Sequence, residues 1–529
     1  MSGVIRSRAA SAQSRRNRPF RIALALLAAG AMTFSSVAES FAQRFGGGGG
    51  GRTNGGIGGN MPGMGSRMPG HDGPRYPGGG GPRFPGGGGG GGVIMLPPGG
   101  YGPGGPGTVV IVDDDDDQGA RRRTRKVTKK QKPQKKQQQL AQRGGFNVPP
   151  AGERRFVPNE VLLNVSAATS GPALDQLVRR HRLTRLEMQD FTLTRRRIAR
   201  LRINDGRPVA TVIRSLQAEA SILGAQANLL FTVQQGAAAA TAADPAQYSL
   251  AKLRLPEAHA LAKGASVAVA VIDTMIDAAH PDLAGVIAAS FDATGTPDKP
   301  HAHGTGIASV IAAHGSLTGA APAVKVLAVR AFGSAGSDGT SLNILKGLDW
   351  AGKSQAGVIN MSFAGPADPE MRIMFGALRA KGTVLIAAAG NAGRNSRPLY
   401  PAADPEVIAV TATDIDDKLF AQANRGTHIA VAAPGVNILA AAPNGSYQMQ
   451  SGTSFAAAQV SGIAALLLER NPKLDAGSIR RILMATARDL GAPGHDEQFG
   501  SGLADALGAV VSAHPKASDV SSATPPAAR

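Results

Sequence analysis

Four polar residues sit where an otherwise apolar chain has little use for them, and their types suggest acyl transfer. Ser454, in SGTSFAAAQVSGIAALLLER, opens a helix that is apolar almost all the way round. A serine there is an ordinary N-cap, because its oxygen can satisfy free N–H groups of the first turn. It is equally a seat for a nucleophile, since the helix N-terminus presents partial positive charge to a developing oxyanion. A nucleophile needs a base, a group that orients the base, and a second oxyanion donor. His303, in HAHGTGIASVIAAH, opens another helix and could act as the base at neutral pH. Asp273 ends the apolar run VAVID, where a carboxylate is costly unless a partner holds it; it reads as an orienting acid or as a turn aspartate. Asn391, in LIAAAGNAG, follows an apolar run between glycines and could donate its side-chain N–H to an oxyanion or simply form a turn. His301 and His314 lie near His303, but that helix carries no Asp or Glu at ligand spacing and the chain has no Cys, so no metal site is expected.

The elements that must position these residues are legible from pattern. Between Ala251 and Val511 the runs ASVAVAVID, VKVLAVRAF, AGVINMSF, GTVLIAAAGN and VIAVTATD are apolar on both faces, with helices such as SLNILKGLDWAGKS between them. This predicts an α/β domain over residues 251–511, a mainly parallel sheet flanked by helices, with a site beyond the carboxyl ends of the strands. Upstream, residues 154–235 read strand, helix, two strands, helix, strand, which predicts a small ferredoxin-like α+β domain. The Ala-rich stretch 236–250 reads as an exposed connector and the expected place of a processing site.

The rest of the chain is compositionally extreme. The protein has 529 residues, 70 of them Gly, and a formal charge of +20. Residues 1–42 have a basic start, a short apolar run and small residues after it, the layout of a secretory signal peptide. Residues 43–153 form a Gly-rich arm with an acidic block from Asp113 to Asp117 and a basic block from Arg121 to Lys136, expected to be disordered. An anionic envelope polymer is a candidate partner of that basic block. Five adjacent Asp lack the spacing and the glycine turn of a calcium loop. Beyond Asp244 basic and acidic residues roughly balance, so no specific nucleic acid is expected. Residues 512–529 read as a flexible tail, too short and polar for a membrane barrel.

With these residues in view, Ala251 to Val511 resembles the subtilisin-like serine peptidases. The matching stretches are VIDTMID, HGTGIASVIA, VINMSFAGP, AAAGNAG, VAAPGV and SGTSFAAAQVSG, in the chain order Asp, His, Ser. The resemblance implies Asp273, His303 and Ser454 as the catalytic triad, and Asn391 with the N–H of Ser454 as the oxyanion hole. It implies that Ser362, Phe363 and Ala364 on one side, and Gly339, Thr340 and Ser341 on the other, pair with substrate as added strands, with Gly390 also at the substrate site. Leu399 falls where a glycine often floors the pocket for the residue before the scissile bond, and Ser341 where a bulky ring often lids the pocket three residues further back. A shallow first pocket and an open second one are therefore expected, with small residues such as Ala before the cut. The segment 154–235 is similar in position and topology to the family's propeptide, an intramolecular chaperone and inhibitor. Two departures stand out: Met275 where the family usually has Gly, and Ala457, Ala458 and Gln459 where it usually has Ser or Thr, Pro and His.

The expected function is thus an exported, self-processing serine endopeptidase in the periplasm, the cell envelope or the medium, with polypeptide substrates and its own propeptide as partner. No cofactor is required for the chemistry; calcium often stabilises the family, but no loop here is specific enough to assign its ligands. The alternative is an envelope-binding protein, attached by its basic arm, whose peptidase fold is vestigial.

Overall fold

The small domain follows from two-residue and four-residue apolar spacing. In the computed structural model, which describes residues 145–236, 247–336 and 338–514, β1 (Phe146–Asn147) and β2 (Phe156–Val165) lead into helix α1 (Gly171–Arg180), β3 (Leu183–Phe191), β4 (Arg196–Ile203), α2 (Val209–Leu216) and β5 (Ile222–Val233). The antiparallel order β5-β2-β4-β3 is that of the expected ferredoxin-like unit. Helix α1 packs on β3, and α2 packs on β2 and β5. The signal-peptide stretch, the arm up to residue 144, connector residues 237–246 and tail residues 515–529 lie outside the described residues.

Along the chain then come β6 (Ala268–Asp273), β7 (Ile287–Asp292), α3 (Ala302–Ala312), β8 (Lys325–Arg330), the short β9 (Gly339–Thr340) and α4 (Ser341–Lys353). They are followed by β10 (Val358–Met361), the short β11 (Phe363–Ala364), α5 (Pro369–Ala380), β12 (Val384–Ala388), β13 (Ile408–Thr413), β14 (Ile429–Pro434), the hairpin β15 (Ile438–Ala442) and β16 (Ser446–Gln450), and α6 (Thr453–Arg470). Because runs such as VLIAA have no polar face to turn outward, they must be covered on both sides. They form one parallel sheet of order β14-β13-β12-β10-β6-β8-β7. Val269 and Val271 of β6 join a core with α3 and α6, while Ala270 and Ile272 join another with α4, α5 and the small domain. Edge strand β7 exposes most of its side chains.

Helix α6 is apolar all round because it is wrapped all round: every residue from Thr453 to Leu467 is buried. Its alanines and Gly462 allow close approach, and a Cβ on Gly462 would lie 2.5 Å from that of Ala320. The small domain presents a polar strip to the larger body. Glu160, Asn164, Gln226 and Asn228 are buried there. Gln226 Nε2 donates to Asp368 Oδ1 at 3.0 Å, and Arg196 pairs with Glu370 at 2.8 Å. Asp368 also caps α5, accepting from the backbone N–H of Glu370 and Met371.

Strand β5 does not stop at its own sheet. Its last residues leave the small domain and pair antiparallel with β9, Leu230 opposite Thr340 and Phe231 opposite Gly339, and with β11, Thr232 opposite Ala364 and Val233 opposite Phe363.

Candidate active site

Asp273 is the last residue of β6 and wholly buried. Its Oδ1 accepts from Thr274 N at 2.7 Å and from Thr274 Oγ1 at 3.1 Å, and lies 2.7 Å from His303 Nδ1. These contacts satisfy one oxygen of the buried carboxylate and turn one edge of the imidazole toward it, while Oδ2 is buried without a hydrogen-bond partner. Thr274 Oγ1 in turn accepts from Gly304 N at 3.0 Å, so the strand end and the start of α3 are tied together on both sides of the pair. His301, at the N-cap of α3, accepts from His303 N at 3.1 Å, which commits its Nδ1 to holding the helix start. Burial, and then the neighbouring His303, hold the His301 pKa below 6.5, which keeps that nitrogen an acceptor. His303 Nε2 is buried without a hydrogen-bond partner.

Ser454 stands in the first turn of α6, but it is not the cap. Gly452 occupies that position, at φ +151°, without a side-chain bond, so the capping reading of Ser454 is replaced. The hydroxyl instead donates to the Ser362 carbonyl at 3.0 Å. Helices α3 and α6 pack together, with the His303 ring 5.9 Å from that of Phe455, the residue next to Ser454. A relay of buried side chains backs this corner: Ser461 Oγ donates to Asn360 Oδ1 at 3.0 Å, Asn360 Nδ2 to Ser362 Oγ at 2.9 Å, and Ser362 Oγ to the Ser454 carbonyl at 3.2 Å. Asn391 follows β12 and Gly390, whose φ of +111° suits glycine. Its Oδ1 accepts from Thr453 N at 3.1 Å and Thr453 Oγ1 at 2.8 Å. Those two donors fix the flip of the amide and leave Nδ2 buried and unpartnered beside the mouth of α6.

The substrate-side residues gather around β5. Val233 N donates to Gly336 O at 2.8 Å, Gln234 N to Ser362 O at 2.9 Å, and Gly236 N to Ser451 O at 2.7 Å. The segment lying across the site is therefore Leu230 to Gly236, which ends on the first residue of the Ala-rich stretch. Ser341 donates its hydroxyl to Asp368 and accepts from Leu229 N at 3.1 Å. Phe231 is wholly buried, edge-on to Phe363 at 5.9 Å. Leu399 lies against Gly390, within 3.1 Å of where a Cβ would stand. Met275 uses its carbonyl to accept from His301 N at 2.8 Å, and Ala457, Ala458 and Gln459 are buried in α6.

Sequence reasoning missed Thr274, Asn360, Thr453 and Asp368. Asn360 carried a usable signal, a polar residue inside the apolar run VINM. Asp368 carried none, because its partners Gln226 and Ser341 are remote in the chain. Burial raises the Asp368 pKa above 3.8 against the pull of its donors, and burial likewise raises that of Glu370 above 4.5 despite Arg196.

An acid, an imidazole, a hydroxyl at a helix mouth and an orphaned amide N–H can together carry out nucleophilic acyl transfer. Comparison with known proteins agrees. Residues 264–502 match the subtilase family, peptidase S8. The chain is 38% identical to subtilisin DY of Bacillus licheniformis over 237 residues, 43% of this chain and 86% of that one. It is 35% identical to thermitase of Thermoactinomyces vulgaris over 256 residues, 47% of this chain and 90% of that one. Among solved structures it resembles fervidolysin of Fervidobacterium pennivorans, described as a keratinolytic enzyme related to subtilisin. That match has a TM-score of 0.59 and 23% identity over 70% of this chain and 63% of that one, a likeness of fold.

Proposed function

Because the chain belongs to the subtilase family and is a serine endopeptidase, we propose that Asp273, His303 and Ser454 are its catalytic residues and that it is made as a precursor blocked by its own small domain. Ser454 Oγ attacks the peptide carbonyl, His303 Nε2 takes its proton and passes it to the leaving amine, and Asp273 holds the imidazole tautomer and steadies its positive charge. Asn391 Nδ2 and the N–H of Ser454 receive the oxyanion. To attack, the hydroxyl must turn from Ser362 O toward Nε2, a tightening that often waits for substrate.

The observation that carries the proposal is the 2.7 Å contact between Asp273 Oδ1 and His303 Nδ1, which leaves the opposite ring nitrogen buried and unpartnered. The inhibitory role of residues 154–235 is supported by β5, which lies along β9 and β11 where the resemblance puts substrate. Export is supported by the layout of residues 1–42, and attachment to an anionic polymer by the basic block 121–136. The test of the catalytic assignment compares the full chain with its Ser454→Ala variant on casein. Activity should fall on the order of 10⁶-fold, the loss that removing the nucleophile causes in subtilisin, a relative of this chain. A variant that digests casein at the parent's rate would remove Ser454 from the chemistry.

A further inference from the structure

We propose that the bond this chain cuts in itself is Gln234–Gln235, and that its groove selects glutamine before the cut with a large aromatic residue three positions upstream. The inference rests on the serine-endopeptidase reading above and adds the bond and the side chains it prefers.

Register singles out the bond. Gln234 N donates to Ser362 O at 2.9 Å and Gly236 N donates to Ser451 O at 2.7 Å. One bond anchors the chain before the Gln234 carbonyl and the other anchors it after Gln235, so the peptide between them is stretched over the mouth of α6. A Cβ placed on Gly452 would lie 2.4 Å from the Gln234 carbonyl oxygen and 3.0 Å from Asn391 Nδ2. The carbonyl of Gln234 and the orphaned amide N–H thus face the same small space, which glycine at 452 keeps open. Gly236, the anchored residue after the bond, is the first residue of the Ala-rich stretch. Cleavage at Gln234 balances simply. Ser454 Oγ bonds to the Gln234 carbonyl carbon while the C–N bond to Gln235 breaks, and the hydroxyl proton travels through His303 to the Gln235 nitrogen. Water then displaces Oγ, leaving a Gln234 carboxylate and the restored hydroxyl.

The side chains explain the preference. The Gln234 side chain is folded into the site: Oε1 accepts from Asn391 N at 2.7 Å and Nε2 donates to Thr232 O at 2.9 Å. Gln234 is 9% exposed. A small apolar side chain in place of Gln234 would leave the Asn391 N–H without that acceptor. Three residues upstream, Phe231 enters the space that Ser341 does not lid. Glycine makes the room there, since a Cβ on Gly365 would lie 2.3 Å from the Phe231 ring.

The test is the intact mass of the purified full chain beside full-length Ser454→Ala, followed by peptide kinetics with the processed enzyme. A catalytic fragment that begins at Gln235 is expected. Acetyl-Phe-Thr-Val-Gln-amidocoumarin should be cut with kcat/KM about tenfold above the same peptide ending in Ala, the effect of one well-made hydrogen bond to a buried group. Processing of Gln234→Leu should slow by about the same factor. A new N-terminus between 237 and 248, or equal or faster cutting of the Ala peptide, would overturn the inference while leaving the peptidase reading intact. So would a precursor that stays whole yet digests casein. A chain that cuts neither itself nor casein would instead overturn the peptidase reading on which the inference rests.

Discussion

At the scale of single residues, each reacting atom is held by a neighbour that leaves one valence unused. Thr453 engages the Asn391 oxygen so that the amide N–H₂ faces the mouth of α6, and Asp273 engages one ring nitrogen of His303 so that the other stays available. A donor aimed at charge that appears only in the transition state should matter for kcat and little for KM. Replacing Asn391 by the isosteric Leu is therefore expected to lower kcat about 10²–10³-fold, the range recorded for the equivalent loss in subtilisin, with KM little changed. Steady-state kinetics on one peptide would check this, and a rise in KM with kcat intact would assign Asn391 to ground-state binding. Asp273 and Asn391 carried a signal in the sequence, because a polar side chain at the end of a buried run demands a partner; His303 and Ser454 carried theirs as polar residues at the openings of apolar helices. Their partners carried none, since Thr274 and Thr453 look like any threonine until the chain folds.

At the scale of elements, helix α6 shows how a reactive side chain is kept on a rigid support. It is buried along most of its length, and small residues bring its neighbours close. Gly462 is the tightest case described on this helix, facing the Cβ and backbone of Ala320, neither of which can swing away. Adding a methyl there removes a glycine cost of up to about 1 kcal/mol but overpacks the helix contact by about 1–3 kcal/mol. Gly462→Ala should therefore lower stability, read as the urea midpoint in a Ser454→Ala background so that self-digestion does not intrude. An unchanged or higher midpoint would show that the loop at Ala320 gives way. Strand periodicity predicted β6, β8, β10, β12 and β13 well, because strands covered on both faces must be apolar throughout. It missed β7, whose exposed side chains carry no such demand.

At the scale of the whole molecule, the small domain is joined to the catalytic body by a polar seam as well as by β5. Burial there raises the Glu370 pKa above 4.5, even with Arg196 at 2.8 Å. An acid whose pKa is raised by folding contributes fully below its ordinary value. That contribution is lost as pH climbs through the raised one, because the unfolded chain releases the proton first. In full-length Ser454→Ala, the urea midpoint of Glu370→Gln relative to the Glu370 parent should therefore rise as the pH climbs through the range above 4.5. A difference that stays constant across that range would mean that Glu370 keeps an ordinary titration in the folded chain.

What the sequence by itself determined is local: which runs are buried, where each ends in a polar residue, and in what order Asp273, His303 and Ser454 follow. Burial imposes a period on the chain, and a break in that period marks a site. What only the tertiary structure decided depends on pairing across long stretches of chain. It took the fold to place Gly452 at the cap and free the Ser454 hydroxyl for Ser362, to carry β5 out of its own sheet, and to lay Gln234 across the site. No local pattern encodes those contacts, because the strands and side chains that create them lie about a hundred or more residues apart and become neighbours only when both domains are folded.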